Sequence, residues 1–222
     1  MTDRRAVRRG RPRNPAIDAS LLECTVRLLA ERGFEATTVD AVALACGITR
    51  ATVYRRFPNK YALVEAAVEA LLAQGVPQVE PGANPVEDIR ALLHNTADLL
   101  TETAFGPVFR ALIPHLSQHP QLAALAHSMG GRRRAALRDA VQRAQSVGAI
   151  ARDINVELAI DGVVGAIYFR YLIVGRSLDS AYVRGVFDVF LRAAATGVVP
   201  ADELDRESPA GSGEREEAAG AC

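Results

Sequence analysis

Apolar positions recur along this chain at three- and four-residue steps, and sustained alternation of apolar with polar residues is sparse. The pattern predicts helices nearly throughout and an all-α fold. A first helix is expected from Asn14-Pro15, a cap followed by a first-turn proline, to a stop at Gly33, with Ile17, Leu21, Leu22, Thr25, Leu28 and Leu29 along one face. Thr37 or Thr38 caps a short second helix carrying Val39, Val42 and Ala43 and ended by Gly47, and Thr49 caps a third that runs to about Tyr54. Pro58-Asn59 breaks the chain before a longer helix from Lys60 to about Ala73. Residues 75–85, with three prolines and two glycines, mark a boundary. Five more helices are expected beyond it, over 86–102, 107–118, 120–147, 156–175 and 180–195. The chain therefore divides into an arm (1–13), a compact helical head (14–60), a connecting helix (61–74), a linker loop (75–85), a C-terminal helical domain (86–199) and a tail (200–222).

Composition sharpens this division. A hydrophobic content of 49% over 222 residues can supply a sizeable core. The most apolar stretch, Ala159 to Val174, is interrupted by Asp161 and Arg170 and falls short of a membrane span. The basic N-terminus has no apolar run of the secretory type behind it, so the cytoplasm is the expected location. Cys24, Cys46 and Cys222 are too scattered for a disulfide framework or a zinc site. Net charge is zero, yet residues 1–60 hold 12 Arg or Lys against 6 Asp or Glu, hence +6, and the remainder holds 14 against 20, hence −6. The basic end is the candidate for a polyanion. Its first 13 residues carry Arg4, Arg5, Arg8, Arg9, Arg11 and Arg13, suited either to a solvated disordered arm or to one that reaches DNA. The tail from Pro200, with seven acids, two arginines and little to bury, is expected to be disordered.

Thr37 to Lys60 reads as two short helices around a tight turn at Cys46-Gly47-Ile48. Neither can stand alone; the helix before them is placed to bury Val39, Val42, Leu44, Ile48 and Val53. That is a helix-turn-helix, whose second helix presents its N-terminal residues, here Thr49, Arg50, Ala51 and Thr52, to base edges in a major groove. The stretch from Ala19 to about Leu72 resembles the DNA-binding domain of the TetR (tetracycline-repressor) family. The resemblance is carried by Gly33-Phe34, Thr37-Thr38-Val39, Ala45-Cys46-Gly47-Ile48 and above all Thr52-Val53-Tyr54-Arg55-Arg56-Phe57 with Lys60 and Leu63. It implies a sequence-specific regulator that binds a palindromic or near-palindromic duplex operator as a homodimer. Arg50 and Thr52 would face base edges or adjacent phosphates, Tyr54 would donate to a phosphate, Thr38, with Thr37 beside it, would hold the DNA backbone, and Arg55, Arg56 and Lys60 would add charge.

Residues 86–195 contain no nucleophile elbow, HExxH, P-loop or GxGxxG, so an enzyme is not expected, nor a cofactor. His115 and His119 lie four apart, but with Pro120 adjoining and no acidic residue nearby in sequence, no metal site is expected. By the resemblance, the C-terminal helices enclose a cavity for a small-molecule effector, and His94, Phe105, Phe109, Met129 and Tyr168 are its candidate lining. At helical spacing the same residues equally suit a plain core. The last two helices resemble the pair that forms a four-helix dimer interface. Gly162 and Gly165 would permit close approach, and Ile160, Val164, Val186, Phe187, Phe190 and Leu191 would bury apolar surface there or in the monomer core. The function so implied is a ligand-released repressor; the alternatives are a DNA-binding regulator without a small ligand, or a helical scaffold that no longer binds DNA.

Overall fold

The structure is a computed structural model that describes residues 15–74 and 79–195, without the side chains of Ser128, Met129 and Ala195. The arm expected over 1–13, the tail expected over 200–222 and part of the expected linker lie outside the described residues. Within them the chain folds into nine α-helices and no strand: α1 (Pro15–Ala36), α2 (Val39–Ala45), α3 (Arg50–Tyr54), α4 (Lys60–Ala73), α5 (Pro85–Thr101), α6 (Phe105–Leu112), α7 (Pro120–Ser146), α8 (Val156–Phe169) and α9 (Ser180–Ala195).

Side-chain caps set most of the starts. Thr38, Thr49, Asn59, Asn84 and Asn155 each accept a hydrogen bond from a first-turn backbone N–H, an interaction worth about 1 kcal/mol per helix. Gly33 leaves the helical region at φ 80°, which only glycine adopts without strain. The last residues of α1 therefore swing onto a new axis, and Phe34 turns inward. Gly47, at φ 65°, makes the tight turn between α2 and α3.

The expected helix over 107–118 begins earlier, at Phe105, and gives way to a 3-10 turn over Ile113–His115, because Pro114 has no N–H to continue the α ladder. The expected 156–175 helix ends at Phe169 and relaxes through one π turn, Arg170–Val174, to Gly175 in the left-handed region.

Three apolar clusters organise the packing. Leu21, Leu28, Val39, Val42, Val53 and Leu63 form the core of the head, α1 to α3 with the start of α4. A second cluster joins Leu29 and Phe34 of α1, Val64 and Val68 of α4, Val108 and Leu112 of α6, and Leu122 and Leu125 of α7. The third fills the body, from Ile89 and Leu93 of α5 through Leu137 and Val141 of α7 to Ile160 and Phe187. The sequence pattern leaves α4 as the sole regular connection between head and body; the structure adds a second, because Leu28 and Leu29, about 100° apart on α1, enter different clusters. Leu44, expected in the head core, is 84% exposed: Val39, Val42 and Ala43 of α2 turn inward, and Leu44, one position on from Ala43, falls on the outer side of the helix.

Candidate DNA interface and effector cavity

The outer face of α3 presents Arg50, Ala51, Tyr54 and Arg55, all exposed, with Thr38 and Thr49 exposed at the helix starts beside it. Arg50 pairs with Asp40 of α2 while 65% of its side chain stays in solvent. Such an exposed pair is worth no more than about 1 kcal/mol, so the guanidinium is free to exchange it for a phosphate or a base. The Thr49 and Thr52 hydroxyls are 3.0 Å apart and hold each other at the first turn, where a base edge would approach.

Other residues expected at this surface do different work. Thr37 is buried and donates to the Gly33 carbonyl oxygen at 2.8 Å, which fastens the kink. Arg56 has only 7% of its side chain exposed; it binds Asp18 of α1 and the Thr52 carbonyl oxygen, tying α3 to α1 instead of facing phosphate. Lys60, at the α4 start, lies with its Nζ 3.6 Å from the Phe34 ring centre and 4.0 Å from Glu35. Burial pushes its ammonium below the ordinary lysine range and Glu35 draws it back. The residue belongs to the seam between head and body more than to the outer face.

That seam gathers Glu35, His115 and His119 so that one potential ligand atom from each lies within 4.8 Å of the others. The acidic neighbour missing from the local sequence is thus supplied by α1. Each member already has a protein partner: Glu35 reaches His115 Nδ1 at 3.4 Å and Lys60 at 4.0 Å, and the Tyr61 hydroxyl lies 2.9 Å from His119 Nδ1. Cys24 and Cys46 are half-buried beside each other in the head, and burial pushes the Cys46 thiol up to about 12, so it stays a packing thiol at neutral pH.

In the body, a cavity of about 220 Å³ opens between α5, α6, α7 and α8. Three of the residues expected to line it meet there. Phe105 and Phe109 stack at 5.4 Å with 13° between ring planes, and Tyr168 sets its edge against Phe109 at 5.4 Å. His94 is not among the lining residues, and the Met129 side chain lies outside the described structure, although Ala126 and Gly130 from the same stretch of α7 do line the wall. Arg133 and Arg134 are lining residues that hydrophobic patterning passes over. Their signal was the basic run Arg132-Arg133-Arg134, which on an exposed helix would merely be solvated.

The residues expected at a dimer face divide. Ile160 and Phe187 are buried in the chain's own core, Val164 lines the cavity, and Leu191 packs on the body core. Gly162, Val186 and Phe190 line a broad, nearly all-apolar groove of about 740 Å³ between α8 and α9, together with Leu158, Gly185 and Val189. Gly165 is exposed on the same helix, with open space where a Cβ would stand. The large exposed side chains Leu158 and Val189 escaped notice because helical spacing alone does not say which of two apolar stripes faces inward.

Known proteins agree with this architecture. Residues 21–67 match the family described as bacterial regulatory proteins, tetR family, and residues 82–190 match the tetracyclin repressor-like C-terminal domain. An uncharacterized HTH-type transcriptional regulator of Mycobacterium bovis is 31% identical over 174 residues, covering 77% of this chain and 84% of its own. The chain belongs to the TetR family. It shares 29% identity over 191 residues with the uncharacterized HTH-type regulator YdeS of Bacillus subtilis, 85% of this chain and 96% of the relative. A DNA-binding transcriptional repressor TetR of Mycobacteroides abscessus is 27% identical over 78% of this chain and 91% of its own. Among solved structures, a TetR family transcription regulator superposes with a TM-score of 0.54 at 28% identity, covering 83% of this chain and 99% of the other. The transcriptional regulator FadR of Bacillus subtilis, in complex with stearoyl-CoA, gives 0.67 at 16% identity over 82% and 99%. As a TetR-family protein the chain is a DNA-binding transcriptional regulator, and the helix-turn-helix α2–α3 is its DNA-binding element.

Proposed function

We propose that this TetR-family protein is a homodimeric repressor that leaves its operator when a small, mainly apolar molecule fills the cavity bounded by α5 to α8. The position of α6 carries this reading. Phe105 and Phe109 wall the cavity, while Val108 and Leu112 of the same helix pack against Leu29 and Phe34 of α1 in the head. A ligand that shifts α6 must repack α1, and α1 holds α3 through the Asp18–Arg56 pair. The shift in operator affinity equals the ligand's differential affinity for the two arrangements. The repressor described from Mycobacteroides abscessus and the acyl-CoA held by the Bacillus subtilis FadR support this reading.

On DNA, Thr49, Arg50, Ala51 and Thr52 would read base edges, and Thr38, Tyr54 and Arg55 would hold phosphates. The α8–α9 groove would receive a second copy of itself, giving a four-helix interface. Two recognition helices must reach major grooves about 34 Å apart or a multiple of that, which one protomer cannot do. The operator would be near-palindromic, the site of action the cytoplasm, and the role regulatory and not enzymatic.

The deciding experiment is a gel shift of the chain's own upstream region with the full-length protein, repeated after removal and return of any small molecule that co-purifies. A salt-sensitive, sequence-selective complex weakened by the returned molecule is expected. Failure to prefer any duplex at any salt concentration would sink operator recognition by these residues. A selective complex indifferent to every bundle ligand would leave a regulator without small-molecule control.

A further inference from the structure

The polar content of the effector cavity is lopsided. Arg134 is fully answered: it meets Glu157 at 2.8 Å and Asp161 at 2.7 Å. Thr96 is spent on its own helix, donating to the Leu92 carbonyl oxygen at 2.8 Å. Arg133 is different. Its Nη1 is buried, with no hydrogen-bond partner among the described residues. Its electrostatic neighbours are the Tyr168 phenol and a second cation, Arg132, with no carboxylate among them; burial is the main influence and disfavours its charge.

A guanidinium cannot escape such a place by losing its proton at physiological pH, as a buried lysine would. Leaving a buried nitrogen of a charged group without an acceptor is costly, and native folds rarely tolerate it without a use. What relieves it is an anion whose geometry matches the fork of the guanidinium, and a carboxylate does so with two parallel hydrogen bonds.

The rest of the cavity limits what can carry that carboxylate. At about 220 Å³ it is smaller than the roughly 300–1,000 Å³ of pockets for drug-sized ligands, and Phe105, Phe109, Leu137 and Ile160 offer it only apolar surface. We propose that the cavity takes a small organic carboxylate, its charged end on Arg133 and its apolar body, of about one aromatic ring or a short alkyl chain, against Phe105, Phe109 and Tyr168. This deepens the effector reading above and rests on it. Ligand and counter-ion arrive together: the anion that completes Arg133 brings apolar bulk against α6, the helix that leans on the head.

The test uses the full-length protein with benzoate and hexanoate as probes and the neutral amides benzamide and hexanamide as isosteres, by calorimetry and thermal melts. At least one carboxylate should bind at least tenfold more tightly than its amide, and Arg133→Met should erase that preference. Arg133→Met should melt no lower than the wild type without ligand, since it removes a half-buried charge whose buried Nη1 has no partner among the described residues; a clear fall would reveal a protein partner for Arg133 and overturn the proposal. Equal binding of acid and amide, or no binding of either carboxylate, would overturn it too. The two readings separate through operator affinity. A carboxylate that binds through Arg133 yet leaves the operator complex unchanged refutes induction and keeps the anion site. An amide that releases DNA as well as its acid does the reverse.

Discussion

Arg55 and Arg56 are adjacent in sequence and opposite in role. Arg55 is exposed beside Tyr54, while Arg56 is folded back on Asp18 with 7% of its side chain accessible. Arg55→Ala should leave the melting temperature nearly unchanged and weaken operator binding, reducing the salt dependence by about one ion. Arg56→Ala should instead destabilise the head by about 1–3 kcal/mol, below the full cost of breaking a buried pair because Asp18 remains 35% exposed. Thermal melts alongside salt-titrated fluorescence anisotropy distinguish the two; equal losses of stability in both variants would contradict this division. The contrast between Arg133 and Arg134 has the same form. One guanidinium is neutralised by Glu157 and Asp161, and its neighbour is left with a buried nitrogen that has no partner among the described residues, although nothing in the run Arg132-Arg133-Arg134 orders them.

Among the elements, α8 and α9 carry two apolar stripes each, and only one can face the body. Phe187 and Ile160 take the inner stripe, where Phe187→Ala would excavate the core at a cost of about 3–5 kcal/mol. Val189, 71% exposed, takes the outer one. Val189→Asp should therefore leave the folded protomer intact, convert dimer to monomer in sedimentation experiments at micromolar concentration and abolish tight operator binding. A Val189→Asp protein that still sediments as a dimer would move the interface away from this groove. Helix α1 is likewise double-sided, with Leu28 in the head core and Leu29 in the seam. Helix ends were mostly legible, because Thr38, Thr49, Asn59 and the proline starts act locally. The early finish of α6 was written in Pro114, yet the extended period of apolar residues through Leu116 masked it.

At the scale of the molecule, the head is held to the body by α4 and by the α1–α6 seam, where Val108 and Leu112 meet Leu29 and Phe34. Coupling through packed side chains requires that the contact be close-fitting in both arrangements. Val108→Ala should thus keep operator binding and ligand binding but reduce the factor by which one weakens the other. That factor, if in the usual range of about 5- to 150-fold, should fall several-fold. The measurement is operator affinity with and without saturating ligand in both proteins; an unchanged ratio would route the signal through α4 alone.

The sequence by itself determined the helical class and the helix-turn-helix, because periodicity, caps, glycine turns and the charge difference between +6 and −6 act within a few residues or sum over many. It also pointed to Phe105, Phe109 and Tyr168 as neighbours of a cavity. Tertiary structure alone decided which face of α8 and α9 turns outward, that Arg56 and Thr37 serve the fold, that Glu35 joins His115 and His119, and that Arg133 Nη1 is buried with no partner among the described residues. Apart from the Thr37–Gly33 bond, which spans four residues, each of these depends on contacts between residues tens of positions apart along the chain, for which a local pattern carries no information. They are settled only when apolar clusters compete for the same helix surface and each buried charge either finds an opposite one or does not.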